Sequence, residues 1–242
     1  MDLLGHITTR QSIRKYDDKD VDDLLRKHIL EFAAQTERLR PELGITVEIA
    51  DAGRMRTMGG GRAPYALSLF SDEGSCRLVN AGFIGQQLDL YLASRGLGAC
   101  WLAGAKPTGA ERDGHDFVIA LGFGWPRGKL QRAPEAIRRK PLAAISAGSD
   151  PRIEYARLAP SARNMQNWFF EAAPSGDAIH VFRRQMGAVM ERLWARLNYI
   201  DCGIAMCHLW LASRALDLPF RFRVLFGPAA PAREGYEYIC TV

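Results

Sequence analysis

The period of hydrophobic and polar positions changes several times along the chain, and each change marks an element. Residues 1–40 read as helical, with Asp20 or Asp22 as the N-cap before Leu24, Leu25, Ile29 and Leu30, until Pro41 ends the segment. Residues 44–51, GITVEIAD, alternate as a strand does, and residues 54–62, with Gly59, Gly60 and Gly61 in a row, read as an exposed loop. Residues 65–70 predict a second strand. Residues 78–95 form a long helix that is apolar on nearly every side, through Phe83, Ile84, Leu88, Leu90, Tyr91 and Leu92. A helix without a wet face has to be buried all round. Residues 117–123 predict another strand, closed by Gly124 and Pro126. Residues 127–147, rich in Arg, Lys, Pro and Ala, read as a linker or extended arm.

The second half follows a similar plan. Residues 152–158 read as a short helix, 168–172 and 179–182 as a strand pair, and 199–216 as a second apolar helix. Residues 221–226 and 236–242 read as closing strands. The two apolar helices share a segment. LYLASRGL begins at Leu90 and LWLASRAL at Leu209, with six of the eight residues identical. Leu/Ala patterning is common in buried helices, but a shared Ser-Arg after the Ala is hard to reach by convergence. The expectation is an internal duplication, a chain resembling a fused dimer with its two apolar helices packed about a pseudo-twofold axis.

With 242 residues, 48% hydrophobic and 24% charged, the composition excludes disorder and fibrous repeats and leaves room for an enclosed site. No run approaches the roughly 20 apolar residues that cross a bilayer, and the charged start MDLLGHITTRQSIRKYDD does not read as a signal peptide. A cytoplasmic protein that binds no membrane is expected. The net charge of +5 is spread over small basic groups. That argues against a nucleic-acid footprint and suits discrete anionic ligands. Five cysteines with no CxxC pair argue against a disulfide framework or structural zinc. Cys202, Cys207 and His208 sit in an apolar run and read as core.

Four segments could carry chemistry. In residues 9–15, TRQSIRK, an extended backbone would bring Arg10, Ser12 and Arg14 to one side, as a clamp for phosphate or ribityl oxygens. Alone, the segment reads more readily as a solvated basic face. In residues 157–168, RLAPSARNMQNW, Pro160 stops a helix before a donor-rich turn, and the amides of Asn164 and Gln166 can meet one ligand edge. An ordinary helix-to-strand turn explains it about as well. Residues 96–104, GLGACWLAG, place small residues around Trp101 where backbone amides can approach a flat ligand, but their spacing is not that of a dinucleotide fingerprint. Residues 138–142, RRKPL, form a basic cluster that by itself suits a solvated linker.

Taken in order, RxSIRKY, GLGACW, LGFGWP and RRKPL resemble the nitroreductase family of FMN-dependent oxidoreductases, and APSARNMQNW resembles that family's APSxxNxQPW turn, with Asn167 in place of proline. The closest resemblance is to compact nitroreductases built as single-chain pseudo-dimers. It implies an α+β, nitroreductase-like fold with central buried helices and antiparallel sheets, divided into residues 1–147 and 148–242. It also implies FMN bound without a covalent link, with contacts from both halves and one FMN per chain. On that resemblance Arg10 and Ser12 would meet ribityl and phosphate oxygens, with Gln11 beside them. Arg14 would lie near the pyrimidine or phosphate, and Arg139 and Lys140 on phosphate. Asn164, with Pro160, Ser161 and Gln166 nearby, would meet the ring or ribityl chain. Backbone amides of Leu102, Ala103 and Gly104 would approach N5 or O4. The implied activity is reduction of a nitroaromatic, quinone or similar acceptor by NAD(P)H in ping-pong fashion, in a pseudo-dimeric monomer that could pair further. The alternative from another class is a flavin-sequestering protein without catalysis, and a third is a pseudo-dimer with no ligand.

Overall fold

The computed structural model describes residues 2–51, 63–107, 114–174, 176 and 178–242, together with the backbone of residues 55–56 and 111–112. The glycine-bearing stretch expected as a loop at 54–62 otherwise lies outside the described residues. The chain forms two compact units, Met1–Ile137 and Arg138–Val242.

The first unit contains helix α1 (Asp23–Ala34), strands β1 (Ile45–Asp51), β2 (Met55–Arg56) and β3 (Tyr65–Ser71), and helix α2 (Arg77–Ser94). Strands β4 (Gly98–Trp101), β5 (Lys106–Pro107), β6 (Glu111–Arg112) and β7 (His115–Gly124) complete it. Its main sheet runs β1-β3-β7-β4, with β6 also on β7, and every pairing is antiparallel. Strand β3 is buried at every position, and α2 is buried without a break from Val79 to Leu92. The absence of a wet face in the sequence therefore has its physical counterpart.

The expected helix over residues 1–40 is corrected. Only α1 is α-helical, capped by the Asp22 carboxylate accepting the Leu25 N–H at 2.8 Å. Before it, residues 4–6 make a 3-10 turn and residues 10–16 run extended against the sheet edge. The apolar residues Ile7, Ile13 and Val21 are buried there at irregular spacing, which helical periodicity does not describe. Helix α1 also ends at Ala34, ahead of Pro41.

The second unit contains β8 (Ser146–Ala147), α3 (Arg152–Arg157), β9 (Trp168–Ala172), β10 (Ile179–Arg184), α4 (Ala188–Ala215) and β11 (Tyr236–Thr241). Its sheet runs β11-β10-β9-β8, antiparallel except for the parallel pair β8–β9. Helix α4 begins 11 residues before the expected 199 because its first turns expose Val189, Met190 and Leu193, and so show no inward apolar face. From Asn198 onward it is largely buried, including Cys202, Cys207 and His208. The expected strand at 221–226 is also corrected. Its alternating Arg and Phe mimic a strand, but only Arg223 bridges Thr241, and a 3-10 turn, Gly227–Ala229, follows. The arm at 127–147 carries two further 3-10 turns and β8. Arg152 and Asp150 form a buried ion pair at 2.6 Å, with Arg152 also donating to Pro219 O at 2.8 Å. All five cysteines are free, and no helix among the described residues is long and apolar enough to cross a membrane.

Candidate functional site

In the first unit the N-terminal segment is held on β4. Ser12 bridges Ala99 in parallel fashion, and Ile13 N–H donates to Ala99 O at 2.9 Å. Gly98 permits this approach, since a Cβ there would stand 2.7 Å from the Ile13 Cβ. Arg10 is only 4% exposed; its Nε lies 3.0 Å from Asp89 Oδ2 and its Nη2 donates to Ser12 Oγ at 3.3 Å. Burial pushes the Asp89 carboxyl above its ordinary range, and Arg10 and the Trp101 indole oppose it. Burial likewise raises the Cys100 thiol, against the pull of Arg14, Arg10 and the Ser12 hydroxyl. Tyr16, whose hydroxyl donates to Ile13 O at 2.6 Å, locks the far end of the segment.

The expected clamp therefore has unequal members. Arg10 and Ser12 touch, but Arg10 is buried and braced from beneath by Asp89, while Arg14 is exposed. Gln11 ties the segment to the following loop by donating Nε2 to Lys129 O at 2.9 Å. There Arg10 bridges Gln131, and Arg132 N–H donates to Thr9 O at 2.9 Å. Thr9 Oγ1 and Arg132 Nε are buried and have no hydrogen-bond partner. Burial, and then Arg10, pushes the Arg132 guanidinium below its ordinary value. At the end of β4, Leu102 N–H is spent on Ala120 O at 2.8 Å, whereas Ala103 and Gly104 form an exposed turn.

In the second unit the structure brings the basic arm and the donor-rich turn together. Arg139 donates from Nη1 to Asn164 Oδ1 at 3.0 Å and to Arg138 O at 2.9 Å. From Nε and Nη2 it donates to Ala159 O and Leu158 O, each at 3.0 Å. Lys140 N–H donates to Gln166 Oε1 at 2.8 Å, and its ammonium to Gln166 O at 3.2 Å. Burial, and then Arg184, lowers the Lys140 ammonium. Gln166 N–H donates to Ser161 Oγ at 3.0 Å, and Gln166 Nε2 to Asn164 O at 3.1 Å. Pro160 is half-buried at the mouth of the turn, Gln166 is buried, and Asn164 is exposed. The two amides thus face the arm and each other rather than one common ligand edge.

Three residues of this turn, Arg163, Asn164 and Gln166, hold left-handed backbone at φ 50°, 58° and 50°, each costing on the order of 1 kcal/mol without a glycine. The turn is held from below by Asp201 of α4, whose carboxylate accepts the Ala162 N–H at 3.0 and 3.1 Å. Burial pushes that carboxyl up to about 8, against the pull of this hydrogen bond. Sequence reasoning missed Asp89 and Asp201, although each is a lone carboxylate inside an apolar helical run, which is the available signal. Arg132 gave no such signal, because it reads as one more base in a polar arm.

Comparisons with known proteins bear on both units. A family described as "Putative TM nitroreductase" matches residues 2–213. Among solved structures, one from Thermotoga maritima described as a putative nitroreductase is 20% identical. That match covers 100% of this chain and 93% of that one, with a TM-score of 0.66. A nitroreductase family protein from Clostridium difficile 630 is 14% identical over 62% of this chain and 100% of that one, at a TM-score of 0.50. A comparison with curated proteins finds no match. The fold is nitroreductase-like, with mixed helices and antiparallel sheets. The family match takes in the braced Arg10, the β4 edge and the Asn164 turn alike, and the chain belongs to the nitroreductase family that this description names.

Proposed function

We propose that the chain is a flavoprotein oxidoreductase that holds FMN without a covalent bond, takes electrons from NAD(P)H and passes them to a nitroaromatic, quinone or similar small acceptor. Family membership supports the oxidoreductase class, and one observation carries the cofactor. Arg10 is buried, braced by Asp89 at 3.0 Å and directed onto Ser12 Oγ at 3.3 Å. A guanidinium fixed in that way, with a hydroxyl beside it, meets ligand oxygens without first being ordered, so little of its binding energy is lost to side-chain entropy. The donor set fits the oxygen-rich edge of a flavin nucleotide. Bound FMN supplies two-electron hydride chemistry, and the protein supplies orientation and charge.

The chain's own residues then divide the work. In the first unit, Arg10 and Ser12 bind oxygens, and exposed Arg14 adds positive potential beside them. The exposed Ala103–Gly104 turn leaves backbone amides accessible at the end of β4. In the second unit, exposed Asn164 accepts from Arg139 and donates to Arg138 O, so a ligand edge there would have to share these bonds. Internal duplication, proposed from the shared LASR segments at the C-terminal ends of α2 and α4, accounts for one complete set of motifs in place of two.

The absorption spectrum of the protein purified without added cofactor, followed by anaerobic mixing with NADH and NADPH, tests this. A flavin band at one FMN per chain that bleaches on mixing is expected. Colourless protein that binds no added FMN would overturn the proposal, and bound flavin that neither nucleotide bleaches would convert it to flavin sequestration.

A further inference from the structure

At the corner between β10 and α4, two buried amides donate to a thioether. Asn167, 8% exposed, points its Nδ2 at Met186 Sδ from 3.4 Å, and Asn198, 1% exposed, does so from 3.8 Å. Asn167 Nδ2 also meets Met165 Sδ at 3.9 Å, and Asn198 Oδ1 is buried without a hydrogen-bond partner. Among the described residues, these two amide nitrogens have sulfur as their acceptor and no oxygen. A thioether is a weak acceptor, whereas buried polar groups are nearly always well paired. Met186 is held in place, because its N–H donates to Glu191 Oε2 at 3.2 Å and Glu191 is paired with buried Arg183. Its side chain is half-buried, so a small reagent can approach; Met206 is fully buried and Met190 is exposed. The proline that the resembled motif carries in place of Asn167 has no side-chain amide, so this pairing is particular to this chain.

The acceptor that suits both amides is an oxygen on the sulfur itself. We propose that Met186 is a site of reversible oxidation by hydrogen peroxide, and that its sulfoxide oxygen accepts from Asn167 and Asn198. A sulfur lone pair attacks one peroxide oxygen, the S–O bond forms as the O–O bond breaks, and water leaves with both protons. Sulfur gives up two electrons and the peroxide takes them. N–H···O bonds settle at about 2.9 Å, a length open to an oxygen on Sδ when the amides stand 3.4 and 3.8 Å from the sulfur. A sulfoxide in a packed interior ordinarily disrupts it. Here the donors are already set, so the sign reverses and oxidation stabilises. Asn167 follows the Asn164 turn and Asn198 belongs to α4, so the oxidised form ties that turn to the helix. The proposal does not depend on the flavin reading.

Folded protein is treated with hydrogen peroxide until exposed Met190 is converted, then divided between peptide mass spectrometry and thermal unfolding. Met186 should carry one added oxygen and Met206 none. Oxidation should raise the melting temperature of wild type by about 2–4 °C relative to its effect on Met186→Leu, the worth of about one hydrogen bond in a chain of this size. Leucine nearly conserves volume, and the comparison cancels oxidation at the other methionines and at the cysteines. Asn167→Ala should still oxidise at Met186 but lose most of the rise, and it serves as the reference if Met186→Leu does not fold. A methionine sulfoxide reductase should return both the mass and the melting temperature to their starting values. Met186 still a thioether when Met190 is fully converted would overturn the proposal. So would a melting temperature that falls or stays level on oxidation relative to Met186→Leu, or a rise of full size in Asn167→Ala.

Discussion

Replacing Asp201 by asparagine separates charge from hydrogen bonding at the floor of the Asn164 turn. Asp201 is buried on α4 and accepts the Ala162 N–H. Asparagine keeps an acceptor for that N–H but does not titrate. Burial raises the carboxyl from its ordinary value of 3.8 to about 8, so the folded state retains a proton that the unfolded state releases. The sign follows: stability from the neutral acid is complete below about pH 4, falls as pH rises, and is lost once pH passes about 8. At ~1.36 kcal/mol per tenfold change in proton affinity, the whole window has an upper limit of about 6 kcal/mol. Water reaching the ionised carboxylate will lower that figure, so a loss of about 1–2 kcal/mol between pH 5 and pH 9 is expected, roughly 2–8 °C in melting temperature. The assay is thermal unfolding of wild type and Asp201→Asn side by side across that range, read as the difference between them. The wild type should lose ground steadily up to about pH 8 and then level off. A difference that is flat with pH, or that favours the wild type as pH rises, would refute the assignment of Asp201 as a neutral buried acid.

Two further substitutions probe the first unit. Gly98→Ala places a Cβ 2.7 Å from the Ile13 Cβ. It should cost about 1–3 kcal/mol by overpacking and weaken FMN by lifting the Arg10–Ser12 segment; unchanged melting and flavin affinity would show that the close approach is not needed. Asp89→Leu leaves Arg10 as an uncompensated buried charge, for a loss of about 3–5 kcal/mol, whereas Asp89→Leu combined with Arg10→Met should recover most of it. Urea unfolding of the single and double variants measures this, and a double variant no more stable than the single would contradict the pairing.

Strands β1, β3, β7, β9, β10 and β11 and the buried stretches of α2 and α4 were legible because each follows one pattern, alternation in ITVEIAD or an unbroken apolar run in α2, whereas β4, made of small residues, and the two-residue strands carry none. The extended segment at 10–16 was legible only through the Arg10-Ser12-Arg14 alternation and not through its hydrophobic period, because it is held by backbone bonds to Ala99 and to the loop at 131–132, partners far away in sequence. The same limit applied to the start of α4, where exposed Val189 and Leu193 carry no inward signal, and to the Arg/Phe alternation at 221–226, which fulfils a strand's pattern without a strand's neighbours. The candidate site was half legible. Motif order singled out Arg10, Ser12, Asn164 and Gln166 as candidates, but which arginine has its donors spent depends on hydrogen-bond partners. Arg139 and Arg132 look alike in a sequence and differ only once their donors are traced.

The left-handed residues at 163, 164 and 166 have a consequence for how this chain would respond to selection. Glycine at 163 would relax the backbone at little cost in contacts, whereas at 164 and 166 it would also strip the amides that hold Arg139 and the Lys140 N–H. A guanidinium and two amides stand there instead, with their backbone tension retained. The turn is thus set like a drawn spring by the fold itself, its bend already made by the residues packed around it.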